Sequence, residues 1–152
     1  MKAIVYSTHY FEKEALAKAN QKKHDITLLS NSLNSETAKF AEGKDAVIVF
    51  TNDDVSGVVI EKLKEFGVRY ISTRSLETTH IDRVAASNAG IKIANIPSYS
   101  TEITEESLKN ISTQIIKHLD NWQANKCMGK SCACAKSCHK KHQDDIPNQN
   151  DI

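Results

Sequence analysis

The sequence predicts an α/β fold: five parallel strands in one sheet, helices on both faces, a long C-terminal helix, then an irregular Cys-rich tail. Three observations carry this. Five short β-branched or apolar runs alternate with segments of helical period, which is the pattern of a parallel sheet covered on both sides. The third run, Ala46-Val47-Ile48-Val49-Phe50, is continuously apolar and bounded by charges, as befits a strand buried on both faces. Glycines at 43, 67 and 90 stand where predicted helices must stop.

Lys2 to Tyr6 is the first strand. Tyr10 to Lys22 is rich in Ala, Leu, Lys and Glu and predicts a helix. Ile26 to Leu29 is the second strand, and Asn34 to Ala41 a short helix ended by Gly43. After the third strand, Val55, Val58, Val59, Leu63 and Phe66 recur at helical spacing, with Asp54 as N-cap and Gly67 closing the helix. Arg69 to Thr73 is the fourth strand. Ile81 to Ala89 is a short helix, and Ile91 to Ala94 the fifth strand, stopped by Pro97. The strand order expected is 2-1-3-4-5, the common flavodoxin-like solution for five strands.

Ser100 is the expected cap of the last helix, with Glu102, Glu105 and Glu106 favourable to its dipole. Leu108, Ile111, Ile115, Leu119 and Trp122 follow at three- and four-residue steps, a single narrow stripe. The stripe either packs on its own sheet or docks a second copy to make a homodimer. Trp122, beside the polar tail, is the member expected outside the core.

The chain has 152 residues and a formal net charge of +1, so no nucleic-acid partner is expected. No apolar run reaches the length of a membrane span, and no secretory leader is evident, so the expected setting is cytoplasmic. Composition places a boundary near Trp122 to Asn125, dividing 1–124 from 125–152. All four cysteines lie in the second part, which has only Met128, Ile146 and Ile152 as large apolar residues. It can bury no core without a metal or cross-links.

Ala3-Ile4-Val5-Tyr6-Ser7-Thr8 opens a series of segments that together resemble a known family. It continues with Glu36 to Gly43, Asn52-Asp53-Asp54-Val55-Ser56 and Leu63-Lys64-Glu65-Phe66-Gly67-Val68. Thr73-Arg74-Ser75, His80-Ile81-Asp82, Ala89 to Ile93 and Ile96-Pro97-Ser98-Tyr99-Ser100 complete it. In this order the segments resemble the substrate domain of the D-isomer-specific 2-hydroxyacid dehydrogenases, and most of all the D-lactate dehydrogenases, from Met1 to about Trp122. The resemblance implies an NAD-dependent oxidoreductase ancestor whose first domain is interrupted by a nicotinamide-binding domain. That inserted domain supplies the catalytic arginine, glutamate and histidine. The helix after the Pro-x-Tyr-Ser turn leads into it and contributes to the family's dimer.

In this chain the five glycines, Gly43, Gly57, Gly67, Gly90 and Gly129, are never two apart, so no Gly-x-Gly-x-x-Gly cradle for a pyrophosphate exists. No NAD site and no catalytic residue is therefore expected here. Either the chain is inactive by itself, or a separate chain supplies the cofactor domain. The substrate loop departs as well. The family reads roughly Arg-Ser-Ala-Gly-Phe-Asn; here Arg74-Ser75-Leu76-Glu77 puts side chains where backbone approached the ligand. Glu77 beside an anion would repel it by about 4 kcal/mol at contact. Tyr99 and Arg74 are retained. Other candidates at the carboxyl ends of the strands are Ser7-Thr8-His9, Thr51-Asn52-Asp53 and Ser75. His24, His80 and His118 carry no functional expectation.

The tail carries Cys127, Cys132, Cys134, Cys138, His139 and His142 within sixteen residues. Zinc takes four N or S ligands, and thiolates also suit Cu(I) or an iron–sulfur cluster. Lys126, Lys130, Lys136, Lys140 and Lys141 favour the thiolate form. Zinc or another thiophilic metal is the expectation, with a metal-sensing role as one consequence. Thiol redox chemistry and a tail without function are the alternatives.

Overall fold

The computed structural model describes residues 1–135. Five strands, β1 (Lys2–Val5), β2 (Asp25–Leu28), β3 (Ala46–Val49), β4 (Tyr70–Thr73) and β5 (Lys92–Ala94), form one parallel sheet in the order β2-β1-β3-β4-β5. The α/β class, the parallel sheet and its expected order are all present.

Helices α1 (Lys13–Asn20), α2 (Gly57–Glu65), α3 (Arg83–Asn88) and α4 (Glu105–Gln123) cover it. The strand period of two divides the core. Ile4, Val47, Val49, Ile71 and Ile93 face α2 and α3; Ala3, Val5, Ala46, Ile48 and Ala94 face α1 and α4. All four residues of β3 are fully buried, which explains its unbroken apolar run. β2 lies at the edge and is largely exposed.

Three helix starts differ from expectation. The predicted helix from Tyr10 opens as a 3-10 turn, Tyr10–Glu12, before α1. Ser56, not Asp54, is the N-cap of α2; the Asp54 carboxylate instead accepts the Ser56 amide at 3.0 Å. Thr104, not Ser100, caps α4. Its hydroxyl accepts the Ser107 amide at 3.0 Å while Ser107 Oγ accepts the Thr104 amide at 2.9 Å. That reciprocal pair satisfies two orphan donors, which Ser100 does not do. Residues 37–41 form only a 3-10 turn.

Trp122 corrects a further expectation. It is 3% exposed and stacks on Tyr70, ring centroids 4.8 Å apart. Ile115, Ile116 and Leu119 are buried with it, so this stretch of the stripe packs against its own sheet. At the same end of α4, Asp120 accepts from Lys23 Nζ at 2.9 Å and lies 2.8 Å from His24 Nε2. Burial pushes the Asp120 carboxyl up, but these two partners outweigh it and hold it below its ordinary value.

His118, also on this face, is 2% exposed, with Nδ1 2.9 Å from Ser72 Oγ and, among the described residues, no partner for Nε2. Burial lowers its pKa to about 4. The folded state therefore keeps the ring neutral, whereas the unfolded chain takes up a proton below about pH 6.5. Between those values the unfolded state binds more protons, so stability falls with falling pH. The expected loss from this group is about 3 kcal/mol by pH 4. Urea unfolding across that window should show it, and His118→Leu should flatten the slope.

Past α4 the chain turns back. A 3-10 turn at Gly129–Ser131 leads into an antiparallel bridge between Cys132 and Ala94. Asn95 N donates to Ser131 O and Ala133 N to Ile93 O, both at 2.9 Å. Ala133 joins the core on the α2–α3 side. This segment thus covers the β5 edge of the sheet, which would otherwise present unpaired backbone.

Candidate functional site

A cleft of about 340 Å³ opens at the carboxyl ends of the strands. His9 reaches it from the loop after β1, and Phe50, Arg74 and Tyr99 from the segments just past β3, β4 and β5, while Ile103, before α4, and Leu108 and Ile111, in its first half, close the other side. In a parallel sheet this is where ligands bind, because strand order reverses there and the loops splay apart. Its walls are mostly apolar. His9 stacks on Phe11 at 5.0 Å, and Phe50 and Tyr99 lie 6.3 Å apart.

Arg74 is the central charged group, and it is 2% exposed. Its Nε donates to Glu12 Oε2 at 2.7 Å and its Nη2 to Glu12 Oε1 at 3.3 Å. Nη1 donates to Tyr6 O at 3.1 Å and Nη2 to Ser7 O at 2.9 Å. The guanidinium lies 5.5 Å from the Phe50 ring centre. Four of its five donors are thus taken by the chain itself. Glu12 Oε1 also accepts the His9 amide at 2.8 Å and sits 3.1 Å from His9 Nδ1. Glu12 neutralises the arginine and fixes the histidine at the mouth of the cleft.

Beneath this lies a buried carboxylate. Asp53 is 3% exposed; Oδ1 accepts Ser7 Oγ at 2.6 Å and Leu33 N at 2.7 Å, and Oδ2 accepts Phe50 N at 2.7 Å. Ser7 adopts φ +54°, left-handed backbone that costs a non-glycine residue about 1–2 kcal/mol. Three bonds hold it there: its amide to Asn31 O at 2.9 Å, its hydroxyl to Asp53, and its carbonyl to Arg74. Asp53 is framework, not a ligand group.

Of the family-implied pocket residues, Arg74 and Tyr99 line the cleft; Ser75, Leu76 and Glu77 do not. Ser75 is buried, its hydroxyl donating to Glu77 O at 2.8 Å and lying 2.7 Å from Thr73 Oγ1. Leu76 is 53% exposed and Glu77 is exposed beside it. His80 Nε2 meets Thr73 Oγ1 at 3.1 Å. Burial lowers the His80 pKa, with Asp53 and Glu77 opposing. Thr8 is buried, while Thr51 and Asn52 are exposed away from the cleft. Sequence reasoning missed Glu12, Phe11 and Phe50. Glu12 had one local signal: a glutamate three residues after His9 at a helix start, the spacing of a capping box.

Cys127, Cys132 and Cys134 are half-buried along the segment that follows α4. Cys138, His139 and His142 lie outside the described residues. Among the described residues no group of three His, Cys, Asp or Glu side chains is assembled as a metal site, and no helix is long and apolar enough to cross a membrane.

Strand order and a cleft at the strand ends define the class: a doubly wound α/β domain. Residues 3–132 match the family model described as "D-isomer specific 2-hydroxyacid dehydrogenase, catalytic domain", and the chain belongs to that family. It is 37% identical over 107 residues to the D-lactate dehydrogenase of Escherichia coli K12, covering 70% of this chain and 32% of that protein. It is 28% identical over 120 residues to an aromatic 2-oxoacid reductase of Clostridium sporogenes, covering 78% of this chain and 36% of that one. The solved apo structure of the Escherichia coli D-lactate dehydrogenase superposes with a TM-score of 0.64 at 38% identity, over 66% of this chain and 32% of that one. The chain thus spans about a third of the length of these relatives.

Proposed function

We propose that this chain is a relative of the dehydrogenase substrate domain that carries out no hydride transfer by itself and uses its cleft to hold a small molecule with an apolar body. The observation that carries this is the state of Arg74. A guanidinium that receives a substrate carboxylate must offer its fork to the cleft. Here Glu12 and two backbone carbonyls occupy that fork. The missing glycine-rich pyrophosphate cradle supports the same reading.

The expected outcome with purified chain, NADH and pyruvate is no NADH consumption above the background without protein. Turnover that Tyr99→Phe abolishes would overturn the proposal. A second reading, a dehydrogenase completed by a separate cofactor-domain chain, draws on the intact cleft with Arg74 and Tyr99 in place. Turnover only on adding a chain with Gly-x-Gly-x-x-Gly and an Arg, Glu and His set would favour it.

A further inference from the structure

We propose that the cleft takes a protonated primary amine carried on an aromatic ring, the ring seated among Phe11, Phe50 and Tyr99 and the ammonium at the Glu102 carboxylate on the rim. This rests on the reading that Arg74 serves the fold, and it names the class of small molecule the cleft holds.

The sign of the charge follows from the charged groups that face the cleft. Arg74, Glu12 and Glu102 line it, and no lysine is among the described residues that do. Arg74 and Glu12 cancel, since the guanidinium takes both Glu12 carboxylate oxygens at 2.7 and 3.3 Å. Glu102 remains. Among the described residues its carboxylate has no cationic partner, so its charge is open to whatever enters. The main chain fixes its place. Glu102 N donates to Ser100 Oγ at 3.2 Å, and Glu102 O accepts Ser107 Oγ at 2.6 Å. Ser107 lies in the first turn of α4, so Glu102 is tied to the wall of the cleft.

An anion has one other foothold to try, the N-terminus of α4, where the helix dipole favours negative charge. That end is already served. Thr104 and Ser107 accept each other's amides, and Glu105 and Glu106 supply negative charge in the first turn. A carboxylate ligand would therefore meet Glu102 with no open cation to offset it.

The body of the ligand follows from the walls. His9 and Phe11 stack with their planes 8° apart. Phe50 meets His9 edge-on, centroids 6.5 Å apart, and is tilted by 47° to Tyr99. Rings at such angles present both faces and edges to a further ring. Opposite them Leu16, Ile111 and Ile115 supply an aliphatic surface. A volume of about 340 Å³ is at the small end of ligand pockets, about 300–1,000 Å³, and suits one ring with a short chain. Aromatic faces attract a cation as well as a ring; the Arg74 guanidinium already lies 5.5 Å from the Phe50 centre. The same walls thus favour a charged amine on an aromatic body.

The test is titration of the nitrogen-15-labelled full chain with phenethylamine, phenethyl alcohol and hydrocinnamate, which share one body and carry positive, no and negative charge. It is run at about pH 8, above the ordinary histidine range. Expected are saturating shifts of the Phe50, Tyr99 and Ile111 backbone amides with phenethylamine, at an affinity about fivefold above that of the alcohol, with hydrocinnamate weakest. Glu102→Gln, a change at an exposed side chain, should bring the amine level with the alcohol. Alcohol binding as tight as that of the amine, or an amine affinity unmoved by Glu102→Gln, would overturn this inference and leave the cleft as a site for an apolar body. Hydrocinnamate binding tightest would overturn both readings. Amides unmoved by any of the three up to about 10 mM would do the same.

Discussion

Arg74→Met should lower the unfolding free energy by about 3–5 kcal/mol, the usual consequence of removing one partner from a buried ion pair. The loss has three sources. Glu12, with a side chain only 13% exposed, is left without its cation. The carbonyls of Tyr6 and Ser7 lose their donor. Ser7, in left-handed backbone, loses one of its three anchors. For a domain of this size the midpoint should fall by about 10 °C. Arg74→Lys should recover only part, since an ammonium lacks the planar fork that reaches Glu12 and both carbonyls together. A surface arginine would cost less than about 0.5 kcal/mol. Thermal and urea unfolding of both variants therefore measure whether Arg74 is a clamp within the fold.

Asp53→Ala should be of similar size, about 3–5 kcal/mol, by a different route. It strands two backbone N–H groups, Leu33 and Phe50, and one hydroxyl, Ser7, where water does not reach well. Each hydrogen bond to a charged group contributes about 1.5–3 kcal/mol, and an orphaned buried donor costs its desolvation. Asp53→Asn should lose less but still more than about 1 kcal/mol, because its amide presents a donor to a site built of donors. The change should show as a shifted urea midpoint with an unaltered slope. An Asp53→Ala protein as stable as the native one would remove the carboxylate from the framework of the cleft.

How much of this could be read beforehand follows the range of the interactions. The β3 strand was legible because every residue of Ala46–Val49 is buried, so pattern and environment coincide. Strand order followed from alternation and from the limited number of five-strand solutions. The α4 cap was not legible. Ser100 and Thr104 are both good capping residues, and only the reciprocal bonding of Ser107 separates them. Trp122 was misplaced because its neighbours in sequence are polar. Its partner in space is Tyr70, at the start of β4, which no local pattern announces. The cleft was half legible. The resemblance placed Arg74 and Tyr99 there, but the Glu12–Arg74 pair spans 62 residues. That pair ties Arg74 to the fold, and no local pattern announces it. The pairing of Cys132 with Ala94 was not legible, because it depends on an open edge at β5 that exists only once the sheet is formed.

The proposed function has the cleft hold its arginine for the fold and not for a carboxylate. It is tested most directly by following the Arg74 Nε–H resonance in nitrogen-15-labelled full chain during titration with pyruvate and D-lactate. The Nε–H should be protected from solvent exchange, by its 2.7 Å bond to Glu12 Oε2, and unmoved by either acid up to about 10 mM, the weak end of specific binding. A resonance that shifts and saturates at millimolar pyruvate would contradict it, because the fork would then be open to a substrate carboxylate.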